Sequence, residues 1–233
     1  GKTAQILVYD LGGGTFDVTV LEISDGHFRA LATDGDVQLG GRDFDERIVN
    51  HLAEQFLESH GLDPRTDPED CAQLWIDAQQ IKHSLSERSR VNVVVSHAGI
   101  RLRIEMTREV LEQICADLLG RTESTTKLVI KQAGLDWENI DHVLVVGGSS
   151  RMPMVAEMLE RISGKEINRS LSPDEAIAQG LATGQAPVTD KPGPSRVAMG
   201  PLKVIVDGSM STRTAWCMDS YPAGAGPDGA GID

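Results

Sequence analysis

The sequence predicts an α/β fold, because apolar strand-like segments alternate with segments that have the periodicity of amphipathic helices. Residues 5–9, 17–23 and 28–33 are apolar segments separated by glycine-containing turns, which predicts three antiparallel strands in a meander. Residues 141–146 are almost continuously apolar, as in strands that are buried on both faces of a sheet. With 233 residues, the chain can form one large domain or two small ones.

Two long helices are predicted after the meander, each with apolar side chains about four residues apart. The first begins near Asp43 and stops at Gly61, and the second has Asp67 as its N-cap and Pro68 as its first residue. The apolar stripes are formed by Phe44, Ile48, Leu52 and Phe56 in the first helix, and by Leu74, Ala78, Ile81 and Leu85 in the second.

The second half of the chain continues the alternation of strands and helices. Residues 91–96 and 100–106 predict a hairpin around residues 97–99, and Thr107 is a suitable cap for a helix with an apolar stripe at residues 110–118. The polar residues 122–126 are expected to interrupt this helix before residues 128–133. After the strand at 141–146, a helix is predicted through residue 162, then a short strand near Ile167 and a helix over 172–186.

The composition changes at residue 187. Residues 187–233 contain 7 glycines and 6 prolines, a content typical of disordered sequence. We therefore expect a domain boundary near residue 186 and a disordered tail. One apolar run at residues 202–206 could be an edge strand or part of a linker at residues 202–207.

Composition also excludes several classes of function. The formal net charge is −13, which disfavours a duplex nucleic-acid surface, and no apolar run approaches the length of a membrane span. The six histidines lack metal-ligand spacing, so no zinc site is expected. Three widely spaced cysteines do not form a disulfide framework, which fits a cytoplasmic protein.

The first chemically informative segment is the turn at residues 10–17, D-L-G-G-G-T-F-D. Gly12, Gly13 and Gly14 leave the backbone bare, so that N–H groups can face an anion and phosphate oxygens can come close, with the Thr15 hydroxyl beside them. Asp10 ends one strand and Asp17 begins the next, which places two carboxylates at the mouth of a hairpin. Such a pair beside a phosphate site suits Mg²⁺. The alternative is a flexible hairpin with solvated acids.

A second glycine turn follows the strand at 141–146. Gly147 and Gly148 lead from this strand to a predicted helix, whose N-terminus would offer unpaired N–H groups to a phosphate. Arg151 can stack on a base through its planar guanidinium. An ordinary tight turn explains the same residues, and the glycine pair at residues 40–41 is equally ambiguous in isolation. The turn at residues 10–17 has the sequence neither of a P-loop nor of a dinucleotide-binding loop.

Taken together, four motifs resemble those of the seventy-kilodalton heat-shock chaperones. The family's second phosphate motif is similar to D-L-G-G-G-T-F-D-V, and the loop and helix start that follow it are similar to L-G-G-R-D-F-D. Its adenosine motif is similar to V-V-G-G-S-S-R-M-P, and its second connecting helix is similar to S-P-D-E-A-I-A-Q-G. The motifs occur in the family's order over residues 5–186. The resemblance implies an actin-like ATPase (ribonuclease H-like) fold, and specifically its second lobe.

The resemblance also implies a division of that lobe and a role for individual residues. The base subdomain would be residues 1–32 plus 134–186, and a smaller α+β cap would be residues 33–133. Asp10 and Asp17 match acids that act on Mg²⁺ through water, and Thr15 a threonine near the terminal phosphate. The expected ATP or ADP contacts are Gly12, Gly13, Gly14, Gly41, Lys82, His83, Ser86, Gly147, Gly148, Ser149, Arg151 and Asp174.

Two residues depart from the family pattern. His83 stands where an arginine usually packs on adenine, and Gln79 where a glutamate is usual. Imidazole can still stack on a base, but its charge depends on pH, so we expect a changed or weaker affinity for adenine.

The expected function is thus that of the ATP-binding lobe of a chaperone ATPase, with unfolded client proteins and co-chaperones as partners. The family's first lobe, which carries a first phosphate motif, a catalytic lysine and a glutamate, and its substrate-binding domain are expected to be absent from this chain. Because ATP lies between two lobes, one lobe alone should bind nucleotide weakly and turn it over little. The alternatives are another actin-like ATPase, either a filament former or a sugar kinase, and an interaction module that no longer binds nucleotide.

Overall fold

The structure, a computed structural model, describes residues 3–24 and 27–167 of the chain. Its six strands are β1 (Ala4–Leu11), β2 (Phe16–Ser24), β3 (His27–Asp36), β4 (Arg90–His97), β5 (Ile100–Thr107) and β6 (His142–Val146). Its five α-helices are α1 (Gly41–His60), α2 (Pro68–Glu87), α3 (Arg108–Ile114), α4 (Ala116–Gln132) and α5 (Pro153–Ser163). Short 3₁₀ turns lie at Pro64–Thr66, Trp137–Asn139 and Gly148–Arg151.

The main sheet has the strand order β3-β2-β1-β6. The predicted antiparallel meander is confirmed, and β6 joins its other side parallel to β1, with Asp10 opposite Val146. Parallel neighbours end at the same edge of a sheet. The loops that follow β1 and β6 therefore leave the sheet side by side.

The core lies on one face of this sheet. Tyr9 and Phe16 are fully buried there, with ring centroids 4.8 Å apart, and the Tyr9 hydroxyl donates a hydrogen bond of 2.9 Å to Thr122 Oγ1 of α4. The opposite face carries a smaller apolar cluster formed by Val8, Leu21 and Val146. Residues 143–145 of β6 are only partly buried, so the prediction of a strand buried on both faces is wrong for the described residues, where β6 lies at the edge of the sheet.

The expected interruption of the helix at residues 122–126 is also wrong. The break lies instead at Cys115, between α3 and α4, and α4 continues unbroken through the polar run. Thr122 and Thr126 are fully buried, because each hydroxyl donates to a carbonyl one turn earlier in the helix, Leu119 O at 2.8 Å and Thr122 O at 2.7 Å. A polar group can be buried at little cost when its hydrogen bonds are made.

Helices α1 and α2 pack together on the second, two-stranded sheet of β4 and β5. All eight residues of the two predicted stripes are buried, which confirms both helices. Gly61 has a φ of 70° and ends α1, while the Asp67 side chain accepts hydrogen bonds from the N–H groups of Glu69 and Asp70. The β4–β5 hairpin is tighter than predicted, since His97 pairs with Ile100 and only Ala98 and Gly99 form the turn, both with positive φ.

The segment after β6 differs from the sequence prediction. Gly147 and Gly148 lead into a 3₁₀ turn at Gly148–Arg151, and α5 begins only at Pro153. Ile167 is buried but is not part of a strand in the described chain. None of the described helices has the length and apolar character needed to span a lipid bilayer.

Several predictions lie outside the described residues. They are the turn at residues 25–26, the helix at 172–186, the tail at 187–233, its apolar run at 202–206 and the linker at 202–207. The division into base and cap subdomains stays a prediction.

Candidate functional site

The two glycine turns that the sequence singled out lie next to each other. They follow the parallel strands β1 and β6, and the Leu11 N–H donates a hydrogen bond of 3.2 Å to Ser150 Oγ across them. Ser150 Oγ in turn donates to Val146 O, so one buried hydroxyl joins the ends of both strands. The proximity of the turns follows from the sheet topology.

Gly147 allows this close approach. Its φ is 88°, a conformation that residues with a Cβ rarely adopt. A Cβ built at Gly147 would lie 2.3 Å from Leu11 O, a backbone atom at the end of β1. The glycine is therefore required by the fold, whatever the site binds.

The first turn consists of residues 12–15, since Leu11 and Phe16 still pair as strand neighbours. The Gly12 N–H donates to Thr15 O at 2.9 Å and closes the turn. Asp10 and Asp17 lie directly opposite each other at the base of the turn, as predicted for a hairpin. Burial raises the pKa of the Asp17 carboxyl, so its charged form is penalised unless a cation offsets the loss of water.

A third loop docks on the first turn. The N–H groups of Gly41 and Arg42 donate to the carbonyls of Gly12 and Gly13, at 2.9 and 2.8 Å. A Cβ at Gly40 would lie 2.4 Å from the backbone nitrogen of Gly14. The glycines at residues 40 and 41, whose role the sequence left open, thus let the start of α1 lie directly against the first glycine turn. The same bonds mean that these two N–H groups already have protein acceptors.

The start of α1 also contacts the second turn. A Cβ at Gly41 would lie 2.2 Å from Ser149 Oγ and 3.1 Å from Lys82 Nζ. Ser149 is buried, with 8% of its surface exposed. Gly41 therefore lies where the first turn, the second turn and α2 meet.

Lys82 is held by the protein itself. Its Nζ donates a hydrogen bond of 2.7 Å to Gly41 O and lies 2.8 Å from Asp45 Oδ1, an ion-pair distance without hydrogen-bond geometry. The side chains of Lys82 and Asp45 are 8% and 9% exposed. Sequence reasoning missed Asp45, because one of several acids near the start of a helix gives no local signal of a buried partner on another helix.

Three other glycines are not required by the described structure. Gly13, Gly14 and Gly148 are exposed, none has a positive φ, and no atom lies within 4 Å of a Cβ built on them. Neither a strained backbone nor a close neighbour explains these glycines. Open space above bare backbone suits a ligand that packs directly on the main chain, and the residues present therefore fit a polyphosphate.

The remaining predicted contacts are placed around this centre. His83 and Gln79 are exposed on α2, and Arg151 is exposed at the end of the 3₁₀ turn. Ser86 is partly buried, and its hydroxyl donates to Lys82 O at 3.1 Å. Lys82, Ser86 and Met152 line a small pocket between α2, α3 and the start of α5. Asp174 lies outside the described residues.

Asp10 and Asp17 suit a metal ion that keeps several water ligands. The described residues contain no group of three or more His, Cys, Asp or Glu side chains placed to hold an ion by themselves. Mg²⁺ commonly binds one or two carboxylates, several waters and substrate phosphates. Asp10 and Asp17 match that pattern.

Comparisons with known proteins point to one family. The family model described as "Hsp70 protein" matches residues 1–206. A chaperone protein DnaK of Trichormus variabilis is 45% identical over 188 residues, which cover 78% of this chain and 27% of that protein. A chaperone protein DnaK of Thermosipho africanus is 38% identical over 213 residues, which cover 89% of this chain and 35% of that protein.

The chain thus spans about a quarter to a third of the length of the curated relatives it matches. Residues 1–206, which the family model matches, contain both glycine turns, and the mixed α/β structure agrees with the actin-like ATPase fold of the family. This chain belongs to the Hsp70 family.

Proposed function

We propose that the chain is the ATP-binding second lobe of a chaperone ATPase and that it binds a magnesium nucleotide where the two glycine turns meet. The observation that carries this proposal is the set of open glycines, Gly13, Gly14 and Gly148, at the shared edge of β1 and β6. Family membership supports ATP or ADP as the ligand.

Each part of the site has a distinct role in this proposal. The bare backbone of Gly13 and Gly14 and the Thr15 hydroxyl contact the phosphates, with Gly12 beside them, its N–H bonded to Thr15 O. Asp10 and Asp17 would hold Mg²⁺ through water. When bound, Mg²⁺ would neutralise phosphate charge. Gly147, Gly148, Ser149 and Arg151 lie on the side of the adenosine.

The wall of α2 completes the site. Because Lys82 is tied to Asp45 and Gly41, its role in this proposal is to fix α2 against the start of α1, and a contact to the ribose would be shared with those partners. His83 and Ser86 would contact the base and ribose from the same helix.

The rate of ATP hydrolysis, the client proteins and the cellular location are properties of the intact protein. We propose that the intact protein is an ATPase that acts on unfolded proteins with co-chaperones in the cytoplasm, and that this chain alone turns ATP over slowly. The relatives described above are named chaperone proteins, which favours this function over a filament protein or sugar kinase. The proposed division into a base of residues 1–32 plus 134–186 and a cap of residues 33–133 rests on the same family pattern.

The test is to measure the affinity for ADP by calorimetric titration, once with magnesium present and once with a chelator in its place. Wild-type protein should bind ADP more tightly with magnesium. Asp10→Asn should lose most of that gain, about tenfold in affinity, since side chains that hydrogen-bond to the ligands of a metal have effects of this size.

Glu138→Gln is the matched control, because it removes one carboxylate at the far end of β6 from Gly147. This control should bind like the wild type. If wild-type affinity does not depend on magnesium, or if Asp10→Asn keeps the full dependence, the assigned role of the acids is wrong. Absence of any ADP binding by the folded wild-type chain would refute the function proposed for this fragment.

A further inference from the structure

Arg42 is a cation beside the first glycine turn that the site described so far does not use. Its backbone N–H donates to Gly13 O at 2.8 Å, so the residue begins next to one of the open glycines. Its side chain is exposed, and its guanidinium carbon lies 5.6 Å from the centroid of the Trp75 ring.

The charge of Arg42 is not neutralised by an acid in the described part of the chain. Asp43 accepts a hydrogen bond from the Gly40 N–H at 2.7 Å, and Asp45 is paired with Lys82. Glu46, one helical turn further along α1, forms no ion pair with Arg42 among the described residues. A cation without an acidic partner, beside the turn that is proposed to contact the phosphates, is a candidate to contact those phosphates as well.

A cation–π contact with Trp75 holds the guanidinium without using its hydrogen bonds. A cation–π contact is electrostatic and leaves the N–H donors of the guanidinium available to an anion. Trp75 is partly buried against the core and is therefore a fixed support. Trp75 and Lys82 are seven residues apart, about 10 Å along α2. The Arg42 side chain therefore lies between the first turn, which its N–H contacts, and Trp75 on α2.

The site needs such a cation. Lys82 is buried and engaged with Asp45 and Gly41 O, while the N–H groups of Gly41 and Arg42 have protein acceptors. The chain carries a net charge of −13, so a polyphosphate approaches against an unfavourable field. A guanidinium can bind phosphate through two parallel N–H bonds.

From these contacts we infer that Arg42 is a specificity residue of the proposed nucleotide site, which binds the phosphate groups of the nucleotide from the α1 side. The inference rests on the proposed function. It assigns to Arg42 the discrimination between nucleotides and nucleosides, since only the former carry the anion that the guanidinium contacts.

The experiment compares the affinities of adenosine, AMP and ADP, with magnesium, for the wild type and for Arg42→Ala. We expect Arg42→Ala to weaken ADP binding about tenfold, as for loss of a charge-assisted hydrogen bond, while adenosine affinity stays within about twofold. Arg42→Lys should recover part of the loss, because an ammonium keeps the charge but not the bidentate geometry.

Arg101→Ala is the matched control, since Arg101 is exposed on β5 and makes no ion pair within the described residues. It should bind all three ligands like the wild type, and circular dichroism should show that every variant is folded. Equal weakening of adenosine and ADP by Arg42→Ala would mean a general structural effect and would overturn the inference. Unchanged ADP binding by Arg42→Ala would also overturn it and leave the proposed function intact. Failure of the wild type to bind ADP would overturn both.

Discussion

Replacing Gly147 by alanine should destabilise the protein strongly, whereas the same change at Gly148 should not. The two glycines are neighbours in the second turn, yet the structure uses them differently. A Cβ at residue 147 would lie 2.3 Å from Leu11 O and 2.5 Å from Leu11 C, and φ there is 88°. At residue 148 no atom lies within 4 Å and φ is not positive.

The magnitude has two parts. A residue with a Cβ in this region of φ and ψ costs on the order of 1–3 kcal/mol. Overpacking against backbone that cannot move freely costs about 1–3 kcal/mol more. Leu11 is such backbone, because its N–H is bound to Ser150 Oγ and its strand is paired on both sides. We expect Gly147→Ala to lose about 2–6 kcal/mol, a large part of the roughly 5–15 kcal/mol of a typical domain.

Urea unfolding followed by circular dichroism measures the difference. Gly148→Ala should be as stable as the wild type or more stable by about 0.4–1 kcal/mol, since alanine restricts the unfolded chain. Its affinity for ADP should nevertheless fall, because the new methyl group enters the space proposed for the ligand. A loss below about 0.5 kcal/mol for Gly147→Ala, the level of ordinary surface substitutions, would show that the turns are not locked together in this way.

Two further predictions concern charged groups of the site. Lys82→Met should lower the free energy of unfolding in urea by about 3–5 kcal/mol, because it leaves Asp45 buried without its cation. The double variant Lys82→Met with Asp45→Leu should regain most of that loss. Equal instability of the single and double variants would contradict this prediction. Burial raises the pKa of Asp17, so the stability linked to its proton is present below the ordinary carboxyl pKa and is lost as the pH rises through the raised value. Asp17→Asn should therefore gain stability relative to the wild type between about pH 3 and pH 7, and a difference that is constant across this range would refute the burial effect.

The sequence was sufficient for most of the individual elements, because their signals are local. Apolar residues four apart placed α1 and α2, Asp67 and Gly61 marked helix ends, and the glycine turns separated the strands. The resemblance carried by four motifs supplied the family, which the comparisons confirm. Whether the predicted residues bind nucleotide stays a prediction.

The sequence failed where a residue's environment depends on distant parts of the chain. The polar run that contains Thr122 and Thr126 looked like a helix break, but hydroxyl bonds to the preceding turn and to Tyr9 allow it to be buried. The pairing of Lys82 with Asp45 also gave no signal in the sequence, because the two residues lie on different helices. The contact of Lys82 with a nucleotide stays a prediction.

The sequence by itself determined most of the strands, helices and bare turns, since periodicity, caps and glycines act within a few residues. Only the tertiary structure decided that β6 lies parallel to β1, and therefore that two turns more than 130 residues apart open at one edge with α1 docked against them. Strand order and helix docking are set by the burial of apolar faces from the whole chain at once, and no local pattern encodes that choice.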